Sequence, residues 1–254
     1  LPTIQEGKIK MNTKLTQDDF LDGKLKIFQP QKGFRAGSDS VLLAASIPSS
    51  IKGKILDVGC GVGTASLCYA FRNQNVKIDG IELHQEMMDL ADKNIKENGF
   101  QKQITVHQSD IFNKPESIEP NSYDLVLTNP PYFKEKGTIK DESRISARIK
   151  RNFSIENWIE YCLKMLKPRG YIHLIYPTSD LDHVISCLTN KCGEITIYPL
   201  WPKPGIDSKR MIVIARKSVK TPSRLLSGMI LHDSKGDYTS KALSALKLGK
   251  GLFD

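Results

Sequence analysis

The chain has 254 residues, of which 39% are hydrophobic and 26% charged, and 37 basic against 28 acidic residues give a net charge of +9. That balance excludes collagen, a coiled-coil rod and global disorder, and no apolar run approaches the roughly 20 residues that span a bilayer. Five cysteines (60, 68, 162, 187, 192) form no C-x-x-C pair and the five histidines are scattered, so neither a zinc site nor a disulfide framework is expected.

Residues 1–53 read as an N-terminal extension holding a hairpin and a helix over Ser40–Ser46. Its start, Leu1 to Lys14, is polar and lysine-bearing, with no apolar stretch of the signal-peptide kind; the cysteine usage is what points to a reducing, cytoplasmic setting. From residue 54, short apolar runs alternate with amphipathic segments. Lys54–Val58 is predicted as a buried strand, Thr64–Arg72 as a helix, Val76–Glu82 as a strand, and Gln85–Asn98 as a helix stopped by Gly99. Ile104–Gln108 and Tyr123–Thr128 are the third and fourth strands. Ser154, with Asn157 three residues on, caps a helix running to Leu166, which Pro168-Arg169-Gly170 stops. Tyr171–Tyr176 is a strand, Leu181–Asn190 a helix, and Glu194–Pro199 and Arg210–Arg216 are strands joined only by a loop.

Strands alternating with helices predict an α/β fold, a Rossmann-like parallel sheet with helices on both faces. The last two strands, lacking a crossover helix, should form an antiparallel hairpin. Residues 54–217 hold these seven strands, and residues 218–254 read as a C-terminal extension of the same domain ending in a helix over Ser240–Leu248.

Charge is uneven along the chain. Residues 57–133 carry 6 basic and 11 acidic residues (−5), residues 134–151 carry 7 and 3 (+4), and residues 200–224 carry 7 and 1 (+6). A basic surface flanking an acidic block suits a polyanionic partner.

Four motifs carry chemistry. Asp57-Val58-Gly59-Cys60-Gly61-Val62-Gly63 follows a strand and opens a helix. Glycines there let the backbone turn and approach a ligand, beside the free N–H groups of the helix start. A dinucleotide fingerprint needs a third glycine where Thr64 stands. Glu82, ending the second strand, can accept both hydroxyls of a ribose. Asp110 and Ile111, after the third, can receive an adenine amino group and frame its ring. Asn129-Pro130-Pro131-Tyr132 follows the fourth strand directly. Its prolines stiffen the turn and remove two N–H donors. The Asn129 side-chain oxygen and the Pro130 carbonyl can then accept both hydrogens of a planar amino group. That favours a pyramidal nitrogen with a free lone pair, and Tyr132 offers a stacking face, with Phe133 as a wall.

The set resembles the class I S-adenosylmethionine-dependent methyltransferases that modify exocyclic or amide nitrogens through an NPPY motif. The resemblance implies a seven-stranded sheet of order 3-2-1-4-5-7-6 with strand 7 antiparallel, S-adenosylmethionine as cofactor, and Asp57, Gly59, Gly61, Gly63, Glu82, Asp110, Ile111 and Asn129 around it. Gly33 to Leu43 and the segment His232 to Thr239 are similar to bacterial valine tRNA (adenine-37-N6) methyltransferases, over about residues 20–254. That likeness implies tRNA as partner, Arg35 at the substrate, and Gly37 and Ser38 at the cofactor's methionine end. It also implies a clamp on RNA phosphates that includes Lys134, Lys136, Arg144, Arg148 and Arg151. No metal or membrane is expected, and a monomer is favoured. The residues leave other targets open: protein glutamine N5, or guanine N2 or adenine N6 in ribosomal RNA or DNA. A silent RNA-binding protein and a nicotinamide-dependent oxidoreductase are disfavoured by the intact NPPY motif. Cys60, His107, Trp158 and Tyr161 are expected to pack rather than react.

Overall fold

The computed structural model describes residues 14–33, 35–112, 118–132 and 153–254. An antiparallel hairpin opens it, β1 (Leu15–Phe20) with β2 (Leu25–Pro30), followed by α1 (Ser38–Ala45). Then come β3 (Lys54–Val58), α2 (Thr64–Arg72), β4 (Lys77–Glu82), α3 (Gln85–Glu97), β5 (Ile104–Gln108) and β6 (Tyr123–Thr128). The second half holds α4 (Ile155–Met165), β7 (Leu166–Pro177), α5 (Leu181–Thr189), β8 (Cys192–Trp201) and β9 (Arg210–Lys217). Two short strands, β10 (Arg224–Leu225) and β11 (Met229–Ile230), and α6 (Ser240–Leu246) complete it.

The central sheet runs β5-β4-β3-β6-β7-β9-β8, which is the order 3-2-1-4-5-7-6 expected of its seven principal strands. β9 lies antiparallel to both β7 and β8, and the pairs β5-β4, β4-β3, β3-β6 and β6-β7 are parallel. Alternating side chains on the strands feed two apolar layers. Ile55, Leu125 and Leu127 join α1 and α2 on one face, while Leu56, Val126 and Ile172 join α4 and α5 on the other.

Four expectations are corrected. Among the described residues the sheet has nine strands, because β10 and β11 add in parallel to the outer edge of β8. β7 begins at Leu166, not Tyr171: Pro168-Arg169-Gly170 ends α4 but then forms a bulge within the strand. Arg169 takes φ 67° there, and the register to β6 shifts between Tyr123 and Leu125. α1 starts two residues earlier than predicted, at Ser38, and α6 ends at Leu246. The remaining ends move by a residue or two, as fraying ends do. The Ser154 cap is present, its hydroxyl accepting from the Asn157 amide.

The hairpin is fastened to the sheet by Asn94 of α3 and by Asn98, the residue that caps its C-terminus. Asn94 accepts from Phe28 N (2.7 Å) and donates to Phe28 O (3.0 Å). Asn98 does the same at Lys26 (2.9 and 2.8 Å). Two side-chain amides at i and i+4 thus satisfy alternate backbone groups on the free edge of β2, as a neighbouring strand would. Among the described residues no helix is long and apolar enough to cross a membrane.

Candidate active site

β4 and β6 flank β3, so the sheet order reverses there. A crevice forms at such a switch point, outside the carboxyl ends of the strands. Val58, last in β3, is the register partner of Thr128, last in β6. The glycine loop and the Asn129-Pro130-Pro131-Tyr132 segment therefore leave the sheet side by side. A hydrogen-bond relay locks this junction: Trp158 Nε1 donates to Thr128 Oγ1 (2.9 Å), which donates to the Val58 carbonyl (2.8 Å). The Trp158 ring also lies under the loop, where a Cβ on Gly59 would meet it at 3.0 Å. Trp158 packs, as predicted, and it also sets the seat of both motifs.

In the loop, Gly59 has φ 72° and Gly61 φ 56°, conformations that disfavour other residues. A Cβ on Gly61 would meet nothing within 4 Å, so its outer side is an open cradle. The Gly61 N–H donates to Glu82 Oε2 (3.0 Å) and the His84 N–H to Glu82 Oε1 (2.9 Å). Glu82 is thereby held rigidly at the strand end with lone pairs left over for further donors. Gly63, at φ 82°, caps α2. Asn94 donates to Val62 O (3.0 Å) as well as to Phe28 O, so one fully buried amide joins the loop to the hairpin.

Asp57 is 2% exposed and accepts from Ser66 Oγ (2.6 Å). Burial pushes its carboxyl up to about 7, partly offset by Ser66, with the Glu82 charge adding to the rise. Two carboxylates buried beside an open backbone cradle suit a cationic ligand, whose charge would offset their desolvation. S-adenosylmethionine carries an ammonium and a sulfonium, so the residues present fit it. Cys60 points its Sγ at Gly80, where a Cβ would come within 2.9 Å, and burial raises its thiol far above the usual range. It packs.

Asp110 follows β5, and its Oδ1 accepts from Phe112 N (2.9 Å), which fixes its turn. Ile111 packs partly buried against the layer of α4 and α5. Pro130 is buried, while Asn129, Pro131 and Tyr132 are half-buried. Gly37 caps α1 with open space around it, and Ser38 begins the helix. Arg35 donates to Thr16 Oγ1 (2.9 Å) and Pro30 O (2.6 Å) and pairs with Asp18, ties that bind it to the hairpin. Phe133, Lys134, Lys136, Arg144, Arg148 and Arg151 lie outside the described residues. Trp201 Nε1 donates to Ser227 O (2.9 Å). His107 Nε2 lies 3.8 Å from Asp79 in the sheet.

Sequence reasoning missed Ser66, Asn94 and Thr128. Asn94 left a faint signal, a polar residue at a buried position in the apolar stripe of Leu90, Ala91 and Ile95. The other two are ordinary residues whose value depends on the neighbouring strand or helix.

A profile of the methyltransferase small domain matches residues 32–175. The chain belongs to this family. Full-length relatives agree. This methyltransferase is 32% identical over 236 residues to a tRNA1(Val) (adenine(37)-N6)-methyltransferase of Photorhabdus laumondii, covering 92% of this chain and 95% of that protein. It is 33% identical over 209 residues to the protein of the same name in Yersinia pseudotuberculosis, covering 81% of each. Among solved structures, it resembles a predicted O-methyltransferase from Agrobacterium tumefaciens. The TM-score is 0.70 at 22% identity, over 84% of this chain and 97% of that one. A SAM-dependent O-methyltransferase from Thermotoga maritima superposes at TM-score 0.53 and 18% identity, over 75% and 68% of the two chains. These two likenesses concern the fold of the methyltransferase.

Proposed function

We propose that this methyltransferase transfers the methyl group of S-adenosylmethionine to the exocyclic N6 of adenine 37 in a valine tRNA, acting as a cytoplasmic monomer. The observation that carries the chemistry is the Val58–Thr128 register pairing, which sets the amine-holding motif beside the cofactor cradle. The substrate reading is supported by the names of the relatives given above, which align over 81–92% of this chain.

S-adenosylmethionine supplies an electrophilic methyl group on a sulfonium. Asp57 receives the ammonium end, directly or through water, with Gly37 and Ser38 nearby. The backbone of Gly59, Gly61 and Gly63 forms the cradle. Glu82 holds the ribose hydroxyls, and Asp110 and Ile111 hold and frame the adenine of the cofactor. Asn129 Oδ1 and the Pro130 carbonyl accept the two N–H groups of the target amine, and the rigid Pro130-Pro131 turn keeps those acceptors fixed. The attacking nitrogen is neutral and becomes acidic once methylated, so no strong base is needed. Tyr132 and Phe133 stack on the extracted base, offsetting the few kcal/mol of unstacking. Lys134, Lys136, Arg144, Arg148 and Arg151 are assigned to RNA phosphates, and Arg35 to the substrate in addition to its ties to the hairpin.

The test is incubation with labelled S-adenosylmethionine and tRNA lacking the modification, followed by nucleoside mass spectrometry. N6-methyladenosine at position 37 of valine tRNA is expected. Label found instead in ribosomal RNA, DNA or a protein glutamine would contradict the assignment of substrate.

A further inference from the structure

Arg210 opens β9 and pairs in register with Pro177 at the end of β7. β7 separates β9 from β6, so the Arg210 backbone stands about 10 Å across the sheet from the strand that leads into Asn129. Its side chain spans that gap. The guanidinium lies 4.3 Å from the centroid of the Tyr132 ring. Its Nε donates to Asp39 Oδ2 at 3.1 Å. Asp39 sits in the first turn of α1, where the helix dipole favours a carboxylate.

The corner that presents Arg210 is fixed. Ser208 Oγ bonds to the carbonyls of Leu200 (3.0 Å) and Arg210 (2.7 Å) and lies 3.1 Å from Thr178 Oγ1. Partial burial works against the charge on Arg210, and the Asp39 carboxylate and the Tyr132 side chain more than restore it. Three elements far apart in the chain therefore meet at the Arg210 guanidinium: α1 through Asp39, the segment after β6 through the Tyr132 ring, and the start of β9, which carries the arginine.

We propose that Arg210, anchored by Asp39, is a positioning residue that holds the Tyr132 ring in the orientation that receives the target base. A tyrosine ring on a turn has rotamers to lose when a base stacks on it, and a guanidinium already fixed over one face removes that cost in advance. The cation also draws the ring's π density toward itself, which leaves the opposite face a better partner for an electron-rich purine. Lysine replaces it only in part, because an ammonium keeps the charge but lacks both the planar stacking surface and the Nε–H aimed at Asp39. This inference rests on the adenine reading of the site.

The experiment uses the full chain and a valine tRNA carrying 2-aminopurine at position 37 for binding, and the natural tRNA for turnover. Arg210→Ala is expected to lower kcat/KM for tRNA about tenfold or more, with the dissociation constant of S-adenosylmethionine unchanged within about threefold. Asp39→Ala should fall between wild type and Arg210→Ala, and Arg210→Lys should restore less than half of the lost activity. Bound 2-aminopurine, quenched by stacking in the wild type, should stay brighter in Arg210→Ala. Melting temperatures of all three variants identify any loss that comes from unfolding, and activity is taken per folded molecule. Unchanged quenching and turnover in Arg210→Ala would overturn the inference while leaving the adenine reading intact. Faster turnover in Arg210→Ala would overturn it too, since the guanidinium would then cover the face the base needs. A wild-type chain that neither quenches the 2-aminopurine tRNA nor methylates the natural one would overturn the adenine reading and this inference with it.

Discussion

At Asp57 the needs of stability and of binding oppose each other. Burial pushes the carboxyl up to about 7 from 3.8 in an unfolded chain. A carboxyl raised in this way contributes most to stability below about pH 4, and that contribution is lost as pH climbs through about 7. Converted at about 1.4 kcal/mol per pH unit, the difference is at most about 4.5 kcal/mol. Asp57→Asn is therefore expected to melt several degrees above wild type at pH 8, with the gap closing near pH 4, read by calorimetry across pH. The same variant should bind S-adenosylmethionine about tenfold or more weakly at pH 8, where the lost charge matters. In the wild type that affinity should rise from pH 5 to pH 8. A variant that bound the cofactor normally would remove Asp57 from the site. The motif spacing marked Asp57 as a candidate in the sequence, but its cost was not legible there, because Ser66 and the burial that set it belong to the folded chain.

At the scale of elements, the strands were legible where their own residues dictate them. KILDV and YDLVLT are short apolar runs bounded by turn formers, and Ser154 with Asn157 marks a helix start. β10 and β11 were not legible, since two residues carry no period and only the edge of β8 makes them strands. The early start of β7 was hidden by Pro168-Arg169-Gly170, which reads as a break and folds as a bulge. Asn94 is the element-scale hinge pin, joining α3 to β2 and to the glycine loop through three backbone partners. Asn94→Ala should cost about 2–4 kcal/mol in denaturant unfolding, since it leaves buried backbone groups unpaired. It should also weaken cofactor binding. Trp158→Phe keeps an aromatic ring but loses the N–H to Thr128 and part of the packing under Gly59, and is expected to cost about 1–3 kcal/mol. If the two variants proved equally mild, the hairpin would not depend on Asn94.

For the whole molecule, the alternation of elements pointed to a parallel α/β sheet with a final antiparallel hairpin, while the sheet order and the cofactor class came from the family resemblance that the glycine-loop and NPPY motifs carry. The meeting of Arg210 with Tyr132 could not be read ahead, because it requires the order of β6, β7 and β9 across the sheet. The net charge of +9 predicts a salt-sensitive RNA partner. Between 50 and 200 mM salt, KM for tRNA should rise by at least tenfold, as counterion release requires for several phosphate contacts. The cofactor's dissociation constant should change little over the same range. The central claim is a division of labour across the crevice, in which the glycine loop with Asp57 and Glu82 holds the methyl donor while Asn129 and Pro130 hold the amine. A single-turnover measurement on Asn129→Ala, paired with calorimetry of cofactor binding, tests it most directly. The methyl-transfer rate is expected to fall by about a hundredfold or more, in the range seen when one preorganised hydrogen-bonding group is removed from an active site, while cofactor affinity stays within about threefold. An equal loss of both, or of neither, would contradict it.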